Sequence, residues 1–403
     1  MPTTTGATIR RIRLSNGMTQ AELGALIHFT QPGVSQLEHD GPAAHDLRVL
    51  RRVAKALQVP LSVLVAESDE EIEAARRSFV QARPSGAGAV AATGHRPPIP
   101  AAPDSRVAVG ITDVARITKG INQIHKTQLM VGGSQLCELA VNEARYVEHL
   151  LDHGTYTDKV GKALTSASAE MMTAAGWIHY DAGRWSEANR YYAAAAKAAT
   201  AAGDGIAAAH AWINACLLSY RDGSRPKEGV KLAEAAQLAA RRAGGPKIRA
   251  LAAIREAEAY SVIGDRSAVV AAVRRAHRAF DSTRGLDPGY LAFLSAAQLS
   301  GLTGLGFMRI GDYAEAARYL KSAIKGATAY PRERTAWRIR MAQNYIRAGD
   351  VAEGCALLID NFDEISTVES ERLQTAIAAF VSELWSYLAV PDAREFLERW
   401  TAL

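Results

Sequence analysis

Three polar side chains near the amino terminus, Gln31, Ser35 and Gln36, have types and a spacing that suit base recognition. Val34 and Leu37 are interspersed among them at helical spacing, so a helix that buries the apolar pair leaves the polar side chains facing outward. A glutamine amide donates and accepts hydrogen bonds together, which matches the major-groove edge of adenine. The pattern therefore predicts a helix that reads bases in double-stranded DNA.

Two short helices joined by a tight turn must position this surface. Thr19 and Glu22 have the spacing of a capping box, which fixes the start of the first helix. Thr30 caps the second helix, where Pro32 is tolerated because first-turn amides have no partner within the helix. The first helix is expected to pack through the small Gly24 and through Leu23, Leu26 and Ile27. These signals place both helices within residues 19–38.

The segment resembles the helix-turn-helix of the lambdoid phage repressor, Cro and XRE family over about residues 7 to 65. The resemblance implies a five-helix head that reads DNA half-sites as a dimer. Arg13 and Glu38 match a partly buried ion pair seen in many members. The DNA contacts that it implies are base reading led by Gln31 with Gln36 and Ser35 beside it, bracing of the helix against the DNA backbone by Gln20, and contacts from Thr30, His39, Arg10 and Arg11.

The segment departs from that family's pattern in three places. His28 stands where the family commonly has Gly, at a turn residue with positive φ. Pro32 and Gly33 replace side chains that relatives use to read bases. Residues 39–44 lack the Lys and Arg that bind phosphate in many relatives, although residues 1–65 contain seven Lys or Arg and four Asp or Glu, a net charge of +3. We therefore expect modest specificity and salt-dependent DNA binding.

Composition divides the rest of the chain into a linker and a long helical part. An acidic helix start at Ser68 predicts a helix to about Ala82. Residues 83–106 carry five prolines among Gly, Ala and Ser, which is typical of a linker. The predicted domains are a DNA-binding head over residues 1–67, a helix and linker over 68–109, and helical repeats over 110–403.

The helical part repeats. Residues 175–188 and 304–316 resemble the tetratricopeptide repeat, with a small residue early in helix A, a glycine turn and an alanine where the two helices cross. The turn glycines are Gly183, Gly223, Gly264, Gly311 and Gly349, spaced by 40, 41, 47 and 38 residues. Because this period is longer and less regular than the family's, extended helices or inserted loops are expected. The predicted fold class is all-α, with an α-solenoid after the head.

Several packing details follow from the repeats. Small residues allow closely approaching helices, and large aromatic side chains are expected to fill the gaps between them. Residues 124–165 are expected to add a preceding helical pair, and a last helix is expected from Val390 to near Trp400. The gap-filling residues are Trp177, Trp185, Tyr192 and Phe307.

The resemblance to tetratricopeptide proteins implies that the A helices line a concave face, which usually binds a peptide. The repeat register transfers that face to Trp177, Tyr180, His210, Asn214, Leu217, Tyr220, Arg255, Glu258, Gln298, Met308, Arg340 and Gln343. Aromatic and amide side chains can hold an extended backbone. The expected occupant is a peptide, a small molecule or a protein partner, and for about half of these positions ordinary packing or solvation is the alternative.

Other patterns exclude several functions. His149 and His153 have a metal-ligand spacing but lack a third ligand nearby, so no metal site is predicted. The glycine-rich residues 301–306 lie in a helical repeat without the preceding strand of a dinucleotide fold. No nucleotide-binding or nucleophile motif is present, so neither a cofactor nor an enzyme is expected. Without a signal region or a membrane-length apolar run, the chain is predicted to be cytoplasmic and nucleoid-associated.

A repressor-like head joined to tetratricopeptide repeats resembles the peptide-sensing quorum regulators of Gram-positive bacteria, and more specifically a class of Ala- and Arg-rich actinobacterial regulators. The resemblance implies a homodimeric, sequence-specific transcriptional regulator whose repeats sense a ligand or partner. The alternative left open is a repeat-based interaction scaffold with only weak or non-specific DNA tethering.

Overall fold

The structure is a computed structural model that describes residues 4–57, 59, 64, 107–131, 136–221, 225–282, 286–328, 331–366 and 371–402. Most of the predicted helix and linker of residues 68–109 lies outside these ranges, since residues 68–106 are not described, and so do residues 60–63 and 65–67 at the end of the predicted five-helix head. The chain forms two compact units, one that comprises residues 1–108 and 153–155 and one that comprises residues 109–152 and 156–403.

The head consists of short helices around a small apolar core. Its elements are α1 (Thr5–Ser15), α2 (Gln20–Ile27), α3 (Gln31–Glu38), a 3-10 helix (Pro42–His45) and α4 (Leu47–Leu57). Helix α2 packs against both α3 and α4, and α1 packs against α3. The centre of the core includes Ile9, Ile12, Leu23, Ile27 and Leu37, each with no exposed surface. Leu26, which the sequence placed on the packing face of α2, is instead 56% exposed.

The second unit is built almost entirely of helices. They are α5 (Ile111–Val131), α6 (Cys137–His153), α7 (Asp158–Asp181), α8 (Trp185–Ala202), α9 (Gly205–Arg221), α10 (Pro226–Ala243), α11 (Pro246–Ile263), α12 (Arg266–Phe280), α13 (Ala296–Arg309), α14 (Tyr313–Gly326), α15 (Pro331–Ala348), α16 (Val351–Ile359), α17 (Phe362–Ser366), α18 (Glu371–Leu384) and α19 (Pro391–Thr401). A 3-10 helix (Gly289–Phe293) lies between α12 and α13, and another (Trp385–Tyr387) precedes α19. Two two-residue strands of the first unit, β1 (Val107–Ala108) and β2 (Gly154–Thr155), pair in parallel.

The helices from α7 to α16 form consecutive A and B pairs. Within each pair the two helices pack along their length, and each A helix also contacts the A helix of the next pair, from α7 through α9, α11 and α13 to α15. Contacts between successive A helices are the packing pattern of an α-solenoid. The all-α prediction with carboxy-terminal helical repeats is therefore confirmed.

Small residues set how closely the helices approach. A Cβ atom added at Gly176 would lie 2.5 Å from the ring of Tyr192, where α7 crosses α8, and one added at Gly304 would lie 2.8 Å from Leu320, where α13 crosses α14. The turns after the A helices use left-handed backbone at Gly183, with φ of 74°, and likewise at Gly264, Gly311 and Gly349. This conformation is favourable for glycine because it lacks a Cβ. Gly223 lies outside the described residues.

Two packing predictions are wrong. The helical pair expected over residues 124–165 is present as α5 and α6 but spans residues 111–153, because side-chain hydrogen bonds set its boundaries. The carboxylate of Asp113 accepts from the amide of Gly110 at 2.9 Å, and Thr157 caps α7 by accepting from the amide of Val160. Trp185 fills no gap, since 43% of it is exposed at the start of α8, whereas Tyr192 and Phe307 are buried.

The last helix, α19, begins at Pro391 and ends at Thr401, which confirms its predicted span. Phe396 of this helix packs edge-to-face on Phe380 of α18, with the ring centres 5.4 Å apart. Among the described residues, no helix has the length and apolar character needed to cross a membrane.

Candidate nucleic-acid interface and ligand cavity

Helix α3 presents a polar face because its apolar residues are used in the head core. Thr30 caps the helix, its Oγ accepting from the amide of Gly33. Val34 and Leu37 have no exposed surface, whereas Gln31 and Gln36 are exposed and Ser35 is half-buried. The predicted base-reading side chains therefore lie on the outer side of a short, capped helix, the arrangement that contact with base edges requires.

A buried ion pair holds α3 against α1. Arg13 donates from Nε to Oε1 of Glu38 and from Nη2 to Oε2 at 3.0 Å, and its Nη1 donates to the Met18 carbonyl. Burial alone would raise the pKa of Glu38, but hydrogen bonds from Arg13 and Gln20 lower it below its usual value. The carboxylate therefore stays charged, and its contribution to stability is lost only as pH falls through that lowered pKa.

Amide side chains extend this network to the surface. Gln20 donates from Nε2 to Oε2 of Glu38 at 2.8 Å and accepts from Nε2 of Gln31 at 2.6 Å. The exposed Gln31 is thus connected to a buried carboxylate through one half-buried side chain. One of the Nε2 hydrogens of Gln31 and its Oε1 atom remain available, which is what simultaneous donation to and acceptance from adenine needs.

The turn between α2 and α3 has the conformation that the sequence indicated. His28 has φ of 60° and ψ of 44°, in the left-handed region, and its amide donates to the Gly24 carbonyl. Gly24 is required for a reason not anticipated: a Cβ atom there would lie 2.5 Å from the carbonyl oxygen of Phe29, in the turn rather than in a second helix. The Nη1 atom of Arg52 donates to the Ile27 carbonyl at the end of α2.

The remaining predicted DNA contacts differ in exposure. His39 and Arg10 are exposed, whereas Arg11 is half-buried. The Nδ1 atom of His39 lies 2.7 Å from the Ser35 carbonyl, so Nδ1 is the donor and Nε2 faces away from that bond. All eight predicted residues belong to the head, and the amide network joins two of them, Gln20 and Gln31.

In the repeat unit, the A helices surround a cavity of about 230 Å³. Helices α5, α7, α9, α11, α13 and α15 contribute to its lining, together with the 3-10 helix at residues 289–293. Its apolar walls include Leu217, Leu251, Leu302, Leu305 and Phe293. A concave, mostly apolar space with a few polar groups is characteristic of a ligand site.

One side of the cavity is a stack of rings. The rings of His210 and Tyr290 stack with their centres 4.7 Å apart, and the ring of His125 lies 5.7 Å from that of Tyr290. Glu170 connects to both members of the stack, since its Oε2 lies 2.9 Å from Nδ1 of His210 and its Oε1 accepts from the Tyr290 hydroxyl at 2.7 Å. The 3-10 helix is therefore hydrogen-bonded to the start of the solenoid.

Burial shifts the pKa values of two residues in this stack of rings. Burial, with a contribution from neighbouring His210, lowers the pKa of His125 to about 3, so its imidazole is neutral near pH 7. Burial and the adjacent Glu170 carboxylate raise the pKa of the Tyr290 hydroxyl. The Nε2 atom of His125 is buried without a hydrogen-bond partner, which leaves one polar atom on this side for a bound molecule.

Another part of the cavity lining carries arginines. Arg255 is 5% exposed and donates from Nη1 to Oε2 of the fully buried Glu258. Burial would raise the pKa of Glu258, but Arg255, Arg309 and Arg221 together lower it. Arg221 and Arg255 both line the cavity, and the Nε atom of each is buried without a hydrogen-bond partner.

A third set of contacts joins helices that are distant in sequence. Arg332 of α15 donates to both carboxylate oxygens of Asp181 at the end of α7, at 2.9 and 2.8 Å, and to the Gln128 carbonyl of α5 at 2.7 Å. We call this contact the Arg332 tie. Asp181 is buried, and Gln128 lines the cavity. The tie thus connects the early and late helices around the cavity.

Comparison with known proteins identifies the head. The family model described as Helix-turn-helix matches residues 9–64, which contain the buried ion pair, the capped α3 and the left-handed turn. Residues 9–64 are an XRE-type helix-turn-helix domain. Domains of this family bind DNA and regulate transcription.

No curated protein matches the chain. Among solved structures, the chain is similar to PlcR of Bacillus thuringiensis, whose crystal structure was determined in complex with the peptide PapR7 and DNA. The identity is 16%, the aligned region covers 69% of this chain and 95% of PlcR, and the TM-score is 0.29. With that TM-score the two chains do not superpose as a whole.

The cavity brings together most of the predicted concave-face residues. Eight of the twelve line it: Trp177, Tyr180, His210, Asn214, Leu217, Arg255, Gln298 and Arg340. On α9 the lining residues His210, Asn214, Leu217 and Arg221 follow helical spacing. The row of lining residues on α9 therefore continues at Arg221 and not at the predicted Tyr220, whose ring is buried in the core.

Four predicted residues do not line the cavity, because small errors in register turn a side chain into the packing between helices. Tyr220 and Met308 are buried among neighbouring helices, and Glu258 has no exposed surface. Gln343 donates from Nε2 to the Ala376 carbonyl of α18 at 3.2 Å. The sequence reading missed His125, Tyr290, Phe293 and Trp337, which also line the cavity. The 47-residue spacing between Gly264 and Gly311 was the available signal, since the 3-10 helix with Tyr290 lies in that longer interval.

Proposed function

We propose that this protein is a sequence-specific transcriptional regulator that binds operator DNA as a homodimer and responds to a ligand held in the repeat cavity. The observation that carries the DNA-binding part is the exposed amide pair, Gln31 and Gln36, on a capped α3 that the Arg13–Glu38 pair holds in place. A helix of this kind reads base edges while neighbouring groups contact phosphates. The place of action is then the nucleoid in the cytoplasm.

We infer dimerisation from the small number of side chains with which a single head can contact bases. Helix α3 has eight residues, and its first turn carries Pro32 and Gly33 rather than side chains with hydrogen-bonding groups. Two heads on half-sites one DNA turn apart double the number of base contacts without a longer helix. We infer that binding is weak for a single head and that the operator has two half-sites.

The ligand part of the proposal rests on the cavity. Polar atoms of His125, Arg221, Arg255 and Trp337 are buried at its lining without hydrogen-bond partners. Unsatisfied buried groups are unfavourable, and a molecule that satisfies them stabilises the conformation it binds. A peptide, a small molecule or an inserted protein segment would shift the repeats towards that conformation, and the two heads would change their fit to DNA.

An interaction scaffold with weak DNA tethering is the second candidate. The absence of Lys and Arg between His39 and Ala44, in the segment directly after α3, favours it because few cations there can bind phosphate. Genome-wide crosslinking separates the two functions. Sharp occupancy at a few promoters supports the regulator, and diffuse occupancy supports the scaffold.

The decisive experiment starts from DNA-affinity sequencing of the purified full-length chain to obtain its operator. Gln31→Ala combined with Gln36→Ala is expected to reduce the preference for operator over random DNA by at least about tenfold, since each lost base contact costs about 1–3 kcal/mol. Arg48→Ala is the control, because loss of an exposed cation should weaken binding to both DNAs equally. If the folded double variant still prefers operator over random DNA as strongly as the wild type, Gln31 and Gln36 are not the base-reading residues.

Oligomeric state is measured separately. Sedimentation of the full-length chain should give a dimer, and footprinting should protect two half-sites about one DNA turn, or 34–36 Å, apart. A monomer that protects a single half-site would contradict the dimer while leaving the reader helix in place.

A further inference from the structure

The arginine side of the cavity has more positive than negative charge. Three guanidinium groups act on the Glu258 carboxylate: Arg255 donates to it, Arg309 lies beside it, and Arg221 is near enough to lower its pKa electrostatically. Nη1 of Arg309 lies 3.6 Å from Oε1 of Glu258, yet neither atom is hydrogen-bonded. Burial and the neighbouring arginines Arg221 and Arg255 lower the pKa of Arg309 despite Glu258. Buried cations in excess of anions are unfavourable unless another anion joins them.

The residues that line the cavity also carry more positive than negative charge. The charged lining residues are Lys126, Arg221, Arg255, Arg340 and the single acid Glu333. Arg255 is only 5% exposed, and its Nε atom is buried with no hydrogen-bond partner. A guanidinium group with an unused Nε–H matches the two oxygens of a carboxylate in a planar arrangement. An anion inside the cavity would both complete the hydrogen bonds of this guanidinium group and offset the surplus positive charge.

The walls next to the arginines indicate what the anion is attached to. Leu217 lies one helical turn before Arg221 on α9, and Leu251 lies one turn before Arg255 on α11, and both leucines line the cavity. An anionic group placed between the arginines therefore has apolar side chains directly beside it. A carboxylate loses less hydration in such a place than a phosphate dianion does, and its apolar substituent contacts the leucines.

We propose that the cavity binds a carboxylate with an apolar body, the carboxylate lying between Arg221 and Arg255 and the body lying against Leu217, Leu251 and Leu305. This rests on the proposed function in that it names the chemical class of the ligand. A volume of about 230 Å³ suits a compact carboxylic acid or the carboxy-terminal residue of a peptide. Both sources present the same group to the arginines.

Benzoate and benzamide test the charge directly, because they share shape and differ in the carboxylate. Thermal unfolding of the full-length chain is followed in each, with sodium chloride added to equal ionic strength. Benzoate is expected to produce a saturable rise of about 3 °C in melting temperature, and benzamide none. Equal effects of the two compounds, or no effect of either, would overturn the proposal.

Variants locate the effect. Arg221→Met and, independently, Arg255→Met should abolish the benzoate-dependent rise. Arg221 is chosen because it is half-buried at the last position of α9, where we expect a substitution to disturb the fold less than at the buried Arg255. Arg318→Met is the matched control, since Arg318 is exposed on α14 outside the cavity and should retain the full rise. A rise that persists in folded Arg221→Met would place the anion elsewhere and overturn the assignment.

Two further probes distinguish the sources and the anion type. Tetrapeptides with an apolar last residue are tested in two forms, one with a free and one with an amidated carboxyl terminus. If only the free-carboxylate form binds, and at least tenfold more tightly than benzoate, the ligand is a peptide terminus. Binding by benzoate but by neither peptide supports a small acid. Inorganic phosphate that stabilises more than benzoate through the same arginines would refute the carboxylate. Since operator binding by unliganded protein is measured independently, failure here is distinguishable from failure of the proposed function.

Discussion

Both units of the chain bury an arginine beside a glutamate, but the two pairs differ in how completely they are hydrogen-bonded. In the head, Arg13 donates to both oxygens of Glu38, and Gln20 donates to the same carboxylate. In the repeats, Oε1 of Glu258 and Nε of Arg255 are buried without hydrogen-bond partners. A satisfied pair holds the backbone in place, whereas an unused guanidinium N–H is an energetic cost that a bound hydrogen-bond acceptor removes. In our proposal, the same two residue types hold α3 in one unit and form part of a ligand site in the other.

The largest effect is expected from breaking the satisfied pair. Arg13→Met leaves the Glu38 carboxylate buried without its cation, and should lower the free energy of unfolding of the head by about 3–5 kcal/mol. Hydrogen exchange of the α1–α3 amides in the full-length chain measures this loss. Exchange that is unchanged in the variant would mean that the pair does not hold α3. Glu38→Leu added to Arg13→Met should recover part of the stability.

The next effect concerns pH and the repeats. Because the pKa of His125 is about 3 in the folded chain and its usual value is 6.5, the unfolded chain binds a proton between these values that the folded chain does not. The free energy of unfolding should therefore fall by about 1.4 kcal/mol per pH unit as pH decreases from 6 to 4, in addition to contributions from other groups. His125→Gln should remove that part of the slope in denaturant titrations, and His45→Gln, at an exposed site in the head, should not. Identical slopes for wild type and His125→Gln would contradict a neutral, buried His125.

A smaller effect of opposite sign is expected from the unsatisfied cluster. Arg309→Met removes a surplus cation whose pKa is lowered by burial, and should raise the free energy of unfolding of the repeats by about 1 kcal/mol in the absence of ligand. Denaturant unfolding of the full-length protein measures it. A loss of stability comparable to that of Arg13→Met would show that Arg309 stabilises the repeats as Arg13 stabilises the head. The contrast between the two buried pairs would then be wrong.

The smallest effect is expected at an exposed pair of the same chemistry. Arg318 and Glu315 form an ion pair on α14 with side-chain exposures of 61% and 35%. Glu315→Gln should change the free energy of unfolding by less than about 0.5 kcal/mol, because solvent screens the pair. The measurement is the same denaturant titration. A larger loss would mean that burial is not what separates the strong pairs from the weak one.

Local signals in the sequence predicted the head in detail. The capping box of Thr19 and Glu22, the Thr30 cap and the left-handed His28 each depend on a few neighbouring residues, and all three are confirmed. The error at Leu26 arose because α2 has only eight residues, and Leu23, Gly24 and Ile27 already occupy its buried face. Which of the outward side chains contact DNA remains a prediction.

The cavity was only partly predictable, because helical spacing shows which residues share a face but not which faces meet. Spacing found eight lining residues on the A helices. The hydrogen bond between Tyr290 and Glu170 joins residues 120 positions apart, and Tyr290 lies in a 3-10 helix that no repeat register includes. Arg255 was predicted as a contact, but its surplus charge depends on Arg221 and Arg309 from two other helices. Such a cluster exists only after the helices have packed.

The Arg332 tie makes the repeats depend on more than their nearest neighbours. Arg332 and Asp181 are 151 residues apart in sequence, and the same guanidinium group also donates to the Gln128 carbonyl. In a solenoid whose repeats contact only their neighbours, unfolding can begin at any repeat and spread from there. A buried bond between α7 and α15 couples helices that are far apart along the solenoid, so we expect the helices between them to unfold cooperatively.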